Sequence, residues 1–137
     1  MNTHRGAVYF IQHRELTSHK PHYLVVLNLD PESDSCIVFG VVTSGIERAR
    51  ERVRLNRQPE STLVVVTPRD YTGLDHDSVI DCNTPVKLSE WEFNASFAQI
   101  NAARRTDMPQ HICNAVVQGV LASSMVPLYI KKLLSSE

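Results

Sequence analysis

The chain has 137 residues, 42% of them apolar and 21% charged, with a formal net charge of −1 at pH 7. That length suits one domain with a real core, spanning residues 1–137, and the composition is ordinary for a soluble globular protein. The balanced charge excludes a global pull toward nucleic acid or membrane, so any polyanion site must be a local patch.

The opening, MNTHRGAVYF, is too polar for a signal peptide, and no stretch approaches the roughly 18 apolar residues of a membrane span. Three scattered cysteines, Cys36, Cys82 and Cys113, show no CxxC or Cys/His ligand spacing. A disulfide framework or zinc site is not expected, the odd count suits a reducing cytoplasm, and no cofactor is implied. A cytoplasmic protein without a membrane partner is the expectation.

The first two thirds carry short β-rich runs: AVYFIQ (7–12), HYLVVLNL (22–29), DSCIVFGVVT (34–43), STLVVVT (61–67) and SVIDC (78–82). Val, Ile, Tyr and Phe dominate them, and Pro, Gly, Asp, Asn and Ser separate them. DPESDS (30–35) reads as a hairpin turn. The separators are too short for βαβ crossovers, so the runs predict a curled, mainly antiparallel sheet of five to seven strands. Gly40, inside the third run, predicts a bulge or a bend.

Between the first two runs lies ELTSHKP (15–21), which places Glu15, Thr17, Ser18, His19 and Lys20 within six positions. A hairpin needs none of that chemistry, although a solvated turn accommodates it. Further on, IERARERVRLNR (46–57) holds five of the ten arginines. If 50–55 is a strand, Arg50, Arg52 and Arg54 share one face while Val53 and Leu55 face the core. Such a face would line a groove suited to single-stranded RNA. Glu47, Glu51 and Glu60 would partly neutralise it, and basic edge strands also guard against aggregation.

The last third changes character. SEWEFNASF (89–97) predicts a short helix capped by Ser89, with Trp91 or Phe93 closing one end of the barrel. DMPQHICNAVVQGVLASSM (107–125) has Ile112, Val116, Val117, Val120 and Leu121 at helical spacing, with Asp107 as N-cap ahead of Pro109. Pro127 ends that pattern before LYIKKLL (128–134), a shorter helix or an extended tail. His76 between Asp75 and Asp77 is a poor metal triplet, because adjacent turn positions rarely converge on one ion. Cys82 and Cys113 read as small buried hydrophobes. His111 reads as a surface or dimer residue.

Five strings in order resemble the PemK/MazF family of toxin–antitoxin ribonucleases: RGAVYF (5–10), ELTSHKP with YLVVL, GVVTSG (40–45), YTGLDHDSVIDCNTPVKLS (71–89) and MPQHICNAVVQGVL (108–121). The resemblance implies a curled SH3-like barrel with a C-terminal helix, an α+β fold dominated by β structure. It also implies a homodimer, a protein antitoxin as partner and a single-stranded RNA substrate. The family's loop acid falls on Glu15, and its Arg, five residues on, is replaced by Lys20. Its hydroxyl position is Thr43, with Ser44 beside it. Where some members carry an Arg and an Asp in the later strand, this chain has Asp81 and Asn83.

RNA cleavage without metal needs a base for the 2′-hydroxyl, an acid for the leaving 5′-oxygen and donors for the phosphorane charge. Glu15 fits the base, Lys20 and Thr43 the phosphate, and His19 or His22 the acid. The nucleic-acid contacts expected are Arg50, Arg52, Arg54, Ser44 and His22. Lys20 weakens the case, because an ammonium cannot fork onto two phosphate oxygens as a guanidinium does. The rival is a relative that kept the barrel and lost catalysis, binding RNA, DNA or a protein target such as gyrase. The apolar tail also predicts a homodimer contact at Val126, Leu128, Ile130 or Leu134.

Overall fold

The Val- and Ile-rich runs form strands, where branched side chains fit a pleated surface. In the computed structural model, which describes residues 3–12, 22–97 and 103–135, seven strands make one antiparallel sheet. They are β1 (Val8–Ile11), β2 (His22–Val26), β3 (Cys36–Thr43), β4 (Leu63–Val66), β5 (Ser78–Asp81), β6 (Val86–Ser89) and β7 (Ala103–Arg105). The order is β4, β5, β3, β2, β1, β7, with β6 also on β3. Four α-helices accompany it: α1 (Ile46–Leu55), α2 (Glu90–Phe97), α3 (Gln110–Ala122) and α4 (Leu128–Leu134). The antiparallel sheet and the strand number meet the expectation. Among the described residues, however, the sheet does not close into a full barrel: β4 and β7 are its two ends.

Curling centres on β3. One edge pairs with β2 over Phe39 to Val42, while the other edge changes partner midway. Cys36 to Phe39 pair with β6, and Val42 and Thr43 pair with β5. Gly40 sits at the switch, as its place in the run predicts. A Cβ there would lie 3.0 Å from Ile80 Cγ2 and 3.5 Å from Val116 Cγ1, so its absence lets β5 and α3 close over the bend. The β2–β3 hairpin is fastened by Asn28, fully buried: its Oδ1 accepts from Val38 N at 2.6 Å, and its Nδ2 donates to Cys36 O at 3.0 Å. A buried amide so paired escapes the penalty of desolvation.

Both faces of the sheet are covered, which is why β2 reads as a continuous apolar run. Ile112, Cys113, Val116, Val117 and Val120 of α3 pack on Val8, Val25, Val38, Val42, Val64, Val66 and Ile80. The opposite face gathers Tyr9, Ile11, Leu24, Val26, Ile37, Phe39 and Leu88 around Phe93 of α2. Phe93 is the aromatic that closes this end, its ring 4.9 Å from that of Tyr9, and such burial contributes roughly 1.5–3 kcal/mol. Trp91 does not: it is 77% exposed. Ser89 caps α2 as expected, in a reciprocal box. Its Oγ accepts from Glu92 N–H at 3.0 Å, and its own N–H donates to Glu92 Oε1 at 2.9 Å.

Two expectations at the C-terminus are corrected. The residue preceding α3 is Pro109, not Asp107, whose carboxylate instead takes His4 at 2.6 Å and Arg104. An extended Pro109 leaves Asp107 out of reach of the first helical N–H groups. In the tail, Val126, Ile130 and Leu134 are buried in this chain's own core, and only Leu128 stands out, at 66% exposure. Pro127 turns the chain so that the i, i+4 pair Ile130 and Leu134 faces inward. Among the described residues, no helix is long and apolar enough to cross a membrane.

Candidate active site

Thr43 is the last residue of β3, half-buried and paired with Val79, and Ser44 beyond it is exposed. The start of β2 lies alongside. Ile11 pairs with His22, Tyr23 pairs with Val42, and His22 Nδ1 lies 3.3 Å from the Val42 carbonyl. The connection that carries ELTSHKP thus leaves β1 and returns to β2 next to the Thr43–Ser44 step. Glu15, His19 and Lys20 themselves lie outside the described residues.

A carbonyl only accepts, so in the His22–Val42 contact Nδ1 is the donor. The His22 Nε2 is buried and has no partner among the described residues. His22 thus ties the start of β2 to the end of β3.

The arginine stretch is a helix, not a strand. Ala49 and Val53, one turn apart, are its buried residues, and Arg and Glu are good helix formers. Positions two apart lie about 200° around a helix, so Arg50, Arg52 and Arg54 form no single row. Each also has a carboxylate: Arg50 meets Glu47 at 2.6 Å, Arg54 is forked on Glu51, and Arg52 lies 3.6 Å from Asp81. The Arg54 fork holds the Glu51 carboxyl below its ordinary range. Such exposed pairs are screened by solvent and contribute little to stability.

Asp81 is the other residue of interest. Its Oδ1 accepts from the backbone N–H and from Nδ2 of Asn83, both at 3.0 Å. Asn83 Nδ2 also donates to Thr62 Oγ1 at 2.9 Å, and its Oδ1 is buried without a partner among the described residues. These residues knit β5 to the turn before β4. No group of three or more His, Cys, Asp or Glu side chains with metal-ligand geometry occurs among the described residues. Cys82 and Cys113 are buried as expected, and burial pushes their thiols up to about 12 and about 11.

Sequence reasoning missed β7. AARR has neither alternation nor an apolar run, so nothing in it signals a strand. Yet it brings Arg104 and Arg105 to the end of the sheet, Arg104 5.3 Å from the centre of the Tyr9 ring and Arg105 5.3 Å from that of Phe10.

An antiparallel sheet split at β3 and backed by a C-terminal helix is the fold of a known endoribonuclease. No family model and no curated protein matches the sequence. Among solved structures, the chain is similar to an endoribonuclease in complex with its cognate antitoxin, from a mycobacterial species. The TM-score is 0.56 at 12% identity, over 92% of this chain and 98% of that one. A further neighbour is the Mycobacterium tuberculosis toxin MazF-mt6, with a TM-score of 0.49 at 11% identity over 83% of this chain and 91% of that one. At such identity the likeness is one of fold.

Proposed function

We propose that this protein is an endoribonuclease of the toxin type, acting on single-stranded RNA without metal and restrained by a protein antitoxin. The observation that carries this reading is the seam where His22 meets Val42. It brings His22, where the ELTSHKP connection joins β2, against the strand that ends at Thr43, in a fold similar to that of an endoribonuclease, and this supports the reading.

In this reading Glu15 removes the 2′-hydroxyl proton as O2′ attacks phosphorus. The P–O5′ bond breaks, and O5′ takes a proton from His19. Lys20 and Thr43 hold the phosphorane oxygens, with Ser44 at the edge of the site and His22 as its floor. Arg50, Arg52 and Arg54 contact phosphates from α1, by exchanging their surface carboxylates. Lys20 in place of Arg lowers the rate by about one to three orders of magnitude, as loss of a transition-state donor does.

Cleavage of a long unstructured RNA, with and without chelator, tests the reading. Lys20→Ala and Glu15→Gln should abolish cleavage at unchanged thermal stability, and Lys20→Arg should preserve or raise it. If Lys20→Ala leaves cleavage intact, the phosphate-clamp role is wrong. A second reading, a binding module that lost catalysis, is favoured by Asp81, whose oxygens are engaged by Asn83 and Arg52. It predicts RNA or protein binding with no cleavage under any condition.

A further inference from the structure

One row of side chains across the sheet has no part in the site above. Arg105 on β7, Phe10 on β1 and Tyr23 on β2 point to the same face, because Val8 pairs with Arg105 and Phe10 pairs with Tyr23. The Arg105 guanidinium carbon stands 5.3 Å from the centre of the Phe10 ring. The Phe10 and Tyr23 rings are 4.7 Å apart, and Tyr71 meets Tyr23 edge-on at 5.8 Å.

The rings are locked in place. Tyr23 Oη donates to Gly73 O at 2.9 Å, and Tyr71 Oη donates to Thr106 O. Gly73 makes the close approach possible: a Cβ there would lie 3.1 Å from the Tyr71 ring and 3.4 Å from the Tyr23 hydroxyl.

Arg105 differs from its neighbours in charge pairing. Arg50, Arg52, Arg54 and Arg104 each meet a carboxylate, whereas Arg105 is exposed and pairs with none among the described residues. One face of its guanidinium lies on an aromatic ring. Because Arg105 is exposed, part of the guanidinium remains open to solvent. A flat cation so held accepts a nucleobase on its plane and a phosphate on its edge.

We infer that Arg105, seated on Phe10 and backed by Tyr23, is a base-stacking subsite for the single-stranded RNA substrate. The inference rests on the ribonuclease reading and adds where the strand enters. Tyr23 pairs with Val42, next to Thr43. Three strand spacings separate β7 from β3, which places the stack roughly 14 Å across the sheet from the Thr43 strand. A base must leave its own stack to lie on the guanidinium, so the subsite selects unpaired RNA over duplex.

Binding measured by fluorescence anisotropy tests this independently of cleavage. The probes are a short unstructured 2′-O-methyl oligoribonucleotide, which lacks the attacking hydroxyl, and the same backbone with abasic sites. Arg105→Ala should weaken binding of the base-bearing probe by about tenfold, the size of one lost stack. Arg105→Lys should be nearly as weak, because an ammonium has charge but no plane. Phe10→Leu, which keeps an apolar side chain and removes the seat, should lose about threefold to fivefold. Lys132→Ala, a charge loss on exposed α4, should bind as wild type. On the abasic probe, the wild type and Arg105→Lys should bind alike. Full rescue by Arg105→Lys, or wild-type binding by Arg105→Ala, overturns the subsite while leaving the ribonuclease reading intact. A wild type that neither binds the probe nor cleaves RNA overturns that reading first.

Discussion

Arg5 ties the first residues of the fold to the last helix: its Nη2 donates to the carbonyl of Leu134, the final residue of α4. Its Nε donates to Leu27 O at 2.8 Å, so one guanidinium joins the end of β2 to a helix C-terminus. The backbone repeats the link, Leu29 N–H donating to Leu133 O at 3.0 Å. A cation at a helix C-terminus also meets the negative end of the macrodipole. Burial makes the position costly, and it pushes the Arg5 pKa down.

Arg5→Met should therefore destabilise the protein by about 2–3 kcal/mol, because two charge-assisted hydrogen bonds are lost and two carbonyls are left unpaired. Arg5→Lys should recover only part of this, since a single ammonium cannot serve both oxygens in the same geometry. The urea midpoint measures the cost, and amide exchange should accelerate first in α4. An unchanged midpoint for Arg5→Met would mean that water satisfies both carbonyls.

Gly119 marks where α3 lies against the turn preceding β4. A Cβ there would sit 2.6 Å from Cys82 Sγ and 2.8 Å from Ser61 O. The second atom is backbone and cannot rotate away. Gly119→Ala should cost about 1–3 kcal/mol by overpacking, despite the better helix propensity of alanine. Gly45→Ala is the contrast, since its Cβ would meet only Arg48 Cβ at 3.9 Å, and its midpoint should move by less than about 0.5 kcal/mol. Equal midpoints for the two variants would show that α3 can shift away from Cys82.

Strands β1 to β5 and the Ser89 cap were legible because local chemistry and tertiary packing agree there, whereas β6 was not read as a strand. The helix at Ile46–Leu55 was not legible either. Its alternating arginines fit a strand, and the deciding i, i+4 pair, Ala49 and Val53, is too short to stand out. β7 was invisible for another reason: Ala103–Arg105 is held by pairing with β1, a contact between residues far apart in sequence. The same distance hid the Arg105–Phe10 stack. The Thr43–Ser44 step could be marked from sequence, whereas its closeness to His22 depends on the β2–β3 register.

Alkaline pH should destabilise the fold. Burial raises Cys82 from 9.0 to about 12 and Cys113 from 9.0 to about 11, and it raises Tyr71 from 10.0 to about 12. Above about pH 9 the unfolded chain releases these protons while the native state keeps them. The unfolded state then binds fewer protons, so stability falls as pH rises. The contribution is fully present below the unfolded values and is lost progressively between about pH 9 and 12. Denaturation midpoints across that range check the direction, and Cys82→Ala should flatten the slope. A flat profile above pH 9 would mean that the thiols ionise in the native state. Iodoacetamide at about pH 8 should label half-buried Cys36 first and the other two only on unfolding.

The apolar tail keeps one exposed patch after its core residues are accounted for. Leu128 is 66% exposed, Tyr129 55% and Met125 42%, at the start of α4, and the Tyr129 ring lies 5.0 Å from Lys87 Nζ. Val126, Ile130 and Leu134 already belong to this chain's core. A two-fold contact between copies is the common way to cover such a patch, and it is what the family resemblance implies. Light scattering at micromolar concentration should give twice 15.4 kDa. Leu128→Asp should return the mass to 15.4 kDa while leaving the tryptophan spectrum and the far-ultraviolet circular dichroism unchanged. Ile130→Asp should instead unfold the chain, because it buries a charge without a partner. A wild type that is monomeric at every concentration tested would leave the patch uncovered, and a dimer that survives Leu128→Asp would place the contact elsewhere, with the β4 edge and its exposed Val65 next in line.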